Sequence, residues 1–553
     1  MPSKIEIPGN KLNNIDMRQP MTFLSKGTGR VNGNLTKCNV ITIANIVSEF
    51  VRSTLGPKSM DKVFIDEIGE IYVTNDGITI LEKMSNIENP VAKLLVEVAL
   101  DHEKSVGDGI KTLIILIGEL LKKGGNLREK GIQPSVIIKG YRKALDIAVD
   151  ELQRIAKPAY IGNKALLREI VKTSFGSKNL GFGKDHIINI AIEAFYKIIE
   201  KRGGKICAEK DYIKTVKVLG GSLMESELIN GVIINREIIH PMMPKSIKNA
   251  RIALVNAALE IESPGYSVEI SIEKPFQIKE FSQEENNILK SMVDNITQVG
   301  ANVVFCQKRI DDIALYFLAN AGILAIRYTG ALDMKRLAKA TGGNIVTNLE
   351  TLTKKDLGKA GLVEERKIGE ERLVFVLECE DPKAVTILFR AGLEKQLDEA
   401  ERVFNDAIMN LIYLTKCAKY VPGGGAAEMA MANAIRNRAL KYSGKEQLAV
   451  MAFAEALEII PRILAENAGL NPIDILTQLK AKHEEGEYNY GVDVLSGGIQ
   501  DMLKLGVIEP METKKQLLKR AFEAAIMLLR IDEIIVVSRE KRDRVTKGII
   551  KFT

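Results

Sequence analysis

Residues 300–327 read GANVVFCQKRIDDIALYFLANAGILAIR. A short apolar run, ANVVFC, gives way to DDIALYFLANAG with helical spacing, and then to a second apolar run, ILAIRY. Runs that short between turn residues read as buried strands, and strand, helix, strand in succession reads as a parallel pair with its crossover. The alternation continues on both sides: RIALVNAAL (251–259) and NIVTN (344–348) are strand-like, NNILKSMVDNIT (286–297) and DMKRLAKATGG (333–343) helix-like. A layered α/β domain with parallel strand pairs is expected from about 219 to 376.

Outside these limits helices dominate. Val91, Leu94, Leu95, Val98 and Ala99 fall at helical spacing after Asn89, an expected N-cap, and Pro90, an expected first helical residue. KTLIILIGELLKK (111–123) is apolar almost all round, as a helix buried on most sides would be, and Gly124 and Gly125 are expected to stop it. Between 62 and 81 the sequence predicts two short strands with a turn at Ile68-Gly69, then a second turn at Asn75-Asp76-Gly77. KAVTILFRAG (383–392) predicts one more strand, and Leu393 to Leu414 one long amphipathic helix. Further helices are expected at 426–437, at 446–468 with a kink at Pro461, and at 513–530. The helical ends are expected to form one discontinuous domain around the inserted α/β part.

A chain of 553 residues exceeds what one core supports, and 46% hydrophobic with 27% charged residues is a globular composition. Lys and Arg exceed Asp and Glu only by 78 to 71, with no aromatic-interleaved basic stripe, so no nucleic-acid partner is implied. Cys38, Cys207, Cys306, Cys379 and Cys417 form no CxxC pair, which disfavours a zinc site or a disulfide framework. No apolar run has the length of a membrane span, and residues 1–20 have no signal-type core, so a cytoplasmic protein with no membrane partner is expected.

The stretch VGDGIKT (106–112) has two glycines around Asp108 before a helix. Glycines there let backbone N–H groups reach phosphate oxygens, and a lone carboxylate suits a hard cation that keeps its waters. A turn capped by aspartate explains the heptapeptide equally well. VPGGGAAE (421–428) permits close backbone approach to a ligand, or is a flexible turn. TLGPKSMDK (54–62) by itself reads as a helix stop. Asp76 lies in the NDG turn, and Asp406 in a polar row with Glu399, Arg402 and Asn410. Such a row is ordinarily a solvated face; across a nucleotide, two carboxylates can instead orient and deprotonate a water.

Taken in order, TLGPKSMDK, VTNDGITIL, VGDGIKT, GSK (176–178), VPGGGAAE and LGVIEP (505–510) resemble the ATP-site segments of group II chaperonins. The resemblance runs from about 22 to 537, and residues 300–327, with ERKIGEERLVFV, LAENAGLNPIDIL and AAIMLLRIDEII, look more like thermosome subunits than like the epsilon-type eukaryotic subunit. It implies a multidomain α and α/β chaperonin fold: a helical equatorial domain from both chain ends (1–155 and 413–553), a small α/β intermediate domain (156–218 and 377–412), and an inserted apical α/β domain (219–376) with a helical protrusion at about 259–292.

The resemblance also implies ATP and Mg²⁺. Asp108 looks like the metal ligand, with Gly107, Gly109, Ile110, Lys111 and Thr112 in the phosphate loop. Asp76 and Asp406 match the aspartates that position the attacking water, and Lys178, beside Ser177, matches the γ-phosphate sensor. Leu55, Gly56, Pro57, Gly77, Gly424 and Gly425 would line the nucleotide, with Asp493 and Glu509 near its ribose or base. In the protrusion Phe276, Ile278 and Phe281 would offer apolar surface to unfolded chains or neighbouring lids. The implied activity is ATP-driven folding inside a double ring of identical or paralogous subunits. The implied alternative is a ring subunit that binds nucleotide but hydrolyses it weakly, in a structural role. A small-molecule kinase would need an acceptor pocket for which the sequence offers no constellation.

Two departures matter. The family commonly has GDGTT, so Ile110 and Lys111 replace two hydroxyl donors, from which slower or weaker hydrolysis is expected. Ser59 and Ala391 stand where glycine is usual; both are small, and little effect is expected.

Overall fold

The computed structural model describes residues 28–32, 34–65, 69, 71–83, 89–176, 183–261 and 275–537. Among the described residues, apolar side chains gather into three large cores and a small fourth one. The first is drawn from both ends of the chain: helices Pro90–Ser105, Ile110–Glu129 and Pro134–Ile155 pack with Ala426–Ala439, Gly444–Leu457 and Met511–Leu529. Asn89 caps Pro90–Ser105 as expected, its Oδ1 accepting from the N–H of Val91 at 2.9 Å.

Gly124 and Gly125 do not end their helix, which continues to Glu129. A Cβ on Gly125 would lie 2.7 Å from Ile41 Cδ1, and one on Gly124 would lie 3.0 Å from Leu529 Cδ2. The pair is a contact surface for neighbouring helices, and dense packing outweighs the poor helix propensity of glycine. The expected 446–468 helix is two, Gly444–Leu457 and Ile459–Asn467; the break at Glu458 falls in the turn before Pro461, whose ring and missing N–H disrupt the bond to the Leu457 carbonyl.

The second core lies around a seven-stranded sheet. Strands Leu324–Ile326, Val303–Cys306 and the second half of Ser246–Val255 are parallel neighbours, and Ile345–Val346 also pairs parallel with Ser246–Val255. The parallel pairs read from residues 300–327 are thus present. The sheet as a whole is mixed, because Gly358–Ile368 and Glu371–Leu377 form a hairpin that joins Ser246–Val255 antiparallel. Helices Pro275–Val299, Asp312–Asn320 and Ala331–Thr341 contribute to the same core. Residues 262–274 lie outside the described part of the chain, as do the side chains of Phe276 and Ile278; Phe281 is exposed.

The chain passes through the third core on its way to the sheet and again on its return. Helices Lys164–Ser174 and Lys184–Ile198 meet strand Val385–Ala391 and the long helix Glu394–Cys417 there. That long helix links two cores, since Cys417 packs against the first. Among the described residues no helix is long and apolar enough to cross a membrane.

Candidate nucleotide site

A cleft of about 610 Å³ is lined by residues of the first and third cores. Its wall includes Leu55, Gly56, Pro57, Asp76, Gly77, Gly107, Asp108, Gly109, Ile110, Lys111, Thr112, Asp406, Gly424, Gly425, Asp493 and Glu509. All the site residues expected around the nucleotide therefore come together, except Ser177 and Lys178, which lie outside the described residues.

Two long helices begin at this cleft. Ile110–Glu129 follows Gly109 (φ 91°) and Ala426–Ala439 follows Gly425 (φ 78°), and neither start has a side-chain cap. Their first N–H groups are the orphan donors and positive dipole ends that favour an anion. Gly107 has φ 90°, and a Cβ there would stand 2.5 Å from Met409 Cβ. Gly107→Ala is accordingly expected to cost about 2–4 kcal/mol of stability, from left-handed strain plus overpacking, and to remove nucleotide binding. Thermal unfolding and titration with a fluorescent ATP analogue check both effects, and a variant with unchanged midpoint and affinity contradicts them.

Asp108 is held from three directions. Its Oδ1 accepts from the Gly109 N–H at 2.7 Å, and its Oδ2 accepts from Ser174 Oγ at 2.8 Å and Asn410 Nδ2 at 2.7 Å. Beneath it His102 is fully buried, with Nε2 2.9 Å from the Asp108 carbonyl, and burial pushes its pKa down to about 4. The neutral imidazole donates through Nε2–H.

Because this histidine's folded pKa is below its unfolded value, its contribution is intact above pH 6.5 and is lost as pH falls from about 6.5 towards about 4. The loss amounts to roughly 3 kcal/mol at the acid limit. Urea unfolding of the nucleotide- and metal-free protein should show lower stability at pH 5 than at pH 7.5. His102→Gln, which can still donate to the Asp108 carbonyl, should show a smaller difference; an equal difference contradicts the assignment.

Asp76 is not in a plain turn: it precedes helix Gly77–Lys83, and its Oδ2 accepts from Thr79 N–H and Thr79 Oγ, both at 3.0 Å. Nor is the row on Glu394–Cys417 a solvated face. Asp406 is 8% exposed and Asn410 3%, and Arg402 lies 3.4 Å from Asp76 Oδ2. Burial, with Asp76 adding to it, pushes the neighbouring Glu103 carboxyl upward. The Arg402 guanidinium thus lies among the carboxylates of Asp76, Glu399, Glu103 and Asp406.

Lys111 Nζ donates to the Thr54 carbonyl at 2.8 Å, tying the start of helix Ile110–Glu129 to the segment that leads into Leu55–Pro57. Its stem covers Gly77, where a Cβ would lie 2.9 Å from Lys111 Cγ. Ile110 is buried in the first core. At the opposite end, Asp493 accepts from the backbone of Leu495 and Ser496; burial opposes ionisation there, but these hydrogen bonds and the Ser496 hydroxyl outweigh it and lower the carboxyl pKa. Glu509 pairs with Lys514 at 3.0 Å, and Lys514 also pairs with the buried Glu428.

Sequence reading missed Ser174, Thr513, Lys514, Glu428 and His102 as site-building residues. Asn410, four residues after Asp406 and so on the same helical face, was the one legible signal among these supports.

The donor set suits Mg²⁺ carried with a nucleotide. Among the described residues no group of three or more His, Cys, Asp and Glu could hold a metal alone, whereas one fixed carboxylate beside uncapped helix starts fits a cation whose other ligands are phosphates and waters.

The profile of the TCP-1/cpn60 chaperonin family matches residues 47–539. The chain is 45% identical over 529 residues to thermosome subunit alpha of Archaeoglobus fulgidus, covering 96% of this chain and 97% of that one. It is 46% identical over 520 residues to the thermosome subunit of Methanopyrus kandleri, covering 94% and 95%. Against the thermosome subunit of Pyrococcus horikoshii it is 46% identical over 526 residues, covering 95% and 96%. The helical and mixed-sheet cores, the cleft between the first and third, and these near full-length matches agree: the chain belongs to the TCP-1/cpn60 chaperonin family, among its group II, thermosome-type subunits.

Proposed function

We propose that the chain is an ATP-dependent chaperone subunit that works in a stacked double ring of identical or paralogous subunits in the cytoplasm. The observation that carries this reading is the convergence of three glycine segments and three aspartates, from positions 56 to 425, on one cleft with two uncapped helix starts. In this reading the first core is the equatorial domain, the third the intermediate domain and the sheet core the apical domain, with the protrusion and exposed Phe281 as lid and client surface.

The phosphates would lie on the N–H groups that open Ile110–Glu129 and Ala426–Ala439, with Lys111 at the wall. Asp108 is the residue that would hold Mg²⁺, which when bound neutralises phosphate charge. Asp76, fixed by Thr79 and Arg402, orients the attacking water, and Asp406 accepts its proton. Asp493 and Glu509 flank the ribose and base, and Lys178 senses the γ-phosphate. A nucleotide that favours the closed ring shifts the population towards it, which confines an unfolded client.

The purified protein should suppress aggregation of a denatured test protein and release it folded on addition of Mg-ATP. No suppression, or suppression indifferent to ATP, contradicts the reading. Hydrolysis should be slow for the family, because Ile110 is an apolar wall residue and Lys111 is engaged by Thr54. Restoring the hydroxyls in Ile110→Thr/Lys111→Thr should raise single-turnover cleavage by about 3- to 10-fold; an unchanged rate removes this explanation.

A further inference from the structure

We propose that Ser174 is a positioning residue that makes Mg²⁺ affinity depend on the docking of helix Lys164–Ser174 against the nucleotide cleft. The proposal rests on the nucleotide-site reading above and concerns this chain's own residues around Asp108.

A carboxylate has about four lone-pair directions, two on each oxygen. Among the described residues, both directions of Asp108 Oδ2 are taken, by Ser174 Oγ–H at 2.8 Å and Asn410 Nδ2–H at 2.7 Å. Oδ1 accepts only from the Gly109 N–H, at 2.7 Å. The geometry therefore presents one remaining direction, on Oδ1, to a cation.

The two donors to Oδ2 differ in what supports them. Asn410 also comes from a third-core helix, Glu394–Cys417, but it has a second anchor: its Oδ1 accepts from the buried Thr513 Oγ at 3.2 Å, on the first-core helix Met511–Leu529. Ser174 is the last residue of its helix, and the body of that helix, through Leu167, Ile170 and Val171, belongs to the third core. The Phe175 carbonyl beyond it is held by Lys184 Nζ at 2.9 Å, so the third core itself sets where the serine hydroxyl lies. Asp108 instead leads into helix Ile110–Glu129 of the first core. The Ser174 hydroxyl is thus the hydrogen bond that ties the end of helix Lys164–Ser174 to the metal-facing carboxylate.

Undocking that helix frees one direction on Oδ2 and lets the carboxylate turn, so the oriented ligand exists only in the docked arrangement. By linkage the converse holds: a cation on Oδ1 favours docking by the same factor. Partners that orient a metal ligand typically contribute about 10- to 100-fold to metal affinity.

The test is calorimetric titration of wild type, Ser174→Ala and Ser174→Thr with ADP, once with Mg²⁺ and once with EDTA, alongside amide exchange of residues 164–174. ADP avoids turnover. Ser174→Ala should weaken MgADP binding roughly tenfold and leave Mg-free ADP binding within about twofold, and Ser174→Thr, which keeps the hydroxyl, should restore the difference. MgADP should slow amide exchange across the helix in wild type and not in Ser174→Ala. Equal Mg²⁺ dependence in wild type and Ser174→Ala, equal weakening with and without Mg²⁺, or exchange protection that survives the substitution overturns the proposal. Wild type that binds no MgADP would instead overturn the nucleotide-site reading, and the proposal with it.

Discussion

Asp406→Asn is expected to lower ATP turnover by about 10²-fold or more while ADP affinity changes by less than about threefold. The substitution keeps the shape of a side chain that is 8% exposed, so the fold should tolerate it. What it removes is the proposed proton acceptor, in a cleft that Asp76 also lines. Asp76→Asn should lower turnover too, and should also loosen the start of helix Gly77–Lys83, because its Oδ2 accepts from Thr79. Phosphate release and ADP titration on the same preparations separate chemistry from binding. Turnover by Asp406→Asn within about threefold of wild type would remove Asp406 from the reaction.

Lys514→Met is expected to have the largest effect on stability. Lys514 pairs with Glu428, 3% exposed, and with Glu509 at 3.0 Å. Burial works against its charge, yet the two carboxylates more than reverse that and hold it protonated, while Glu509 is pushed upward chiefly by burial. Removing the lysine leaves the buried Glu428 carboxylate uncompensated beside the half-buried Glu509, and breaking a buried pair typically costs about 3–5 kcal/mol. The glycine loop should suffer as well, since a Cβ on Gly423 would lie 3.1 Å from Glu509 Oε1. The decisive comparison is with Glu428→Gln/Glu509→Gln/Lys514→Met: neutralising all three should recover much of the lost thermal midpoint. A single variant as stable as wild type would mean that the triplet does not support the floor of the cleft.

Residues 300–327 revealed the parallel strands because each is a short apolar run with a helical crossover between them. The antiparallel hairpin Gly358–Ile368 and Glu371–Leu377 was less legible: only three of its first strand's residues are buried, so apolar periodicity is weak there. Gly124 and Gly125 misled for a related reason. Their role is set by Ile41 and Leu529, which are remote in sequence, and local propensity carries no trace of such partners.

The site divides in the same way. Its glycine segments are short contiguous motifs, and that they belong to one cleft could be read. Its supports are single polar residues with distant partners: Ser174 is 66 positions from Asp108, and Lys514 is 86 from Glu428. Asp406 was ambiguous because a polar row on a helix looks the same whether it faces solvent or a buried cleft. Only its burial, on the wall of the cleft that Asp76 also lines, decides between them.

Electron micrographs of the purified protein, with and without Mg-ATP, test the central claim most directly. The account predicts two stacked rings whose ends close over a cavity when Mg-ATP is added, and an Asp108→Ala variant whose rings assemble but stay open. Monomers or small oligomers at all nucleotide concentrations, or rings of unchanged shape with Mg-ATP, would contradict it.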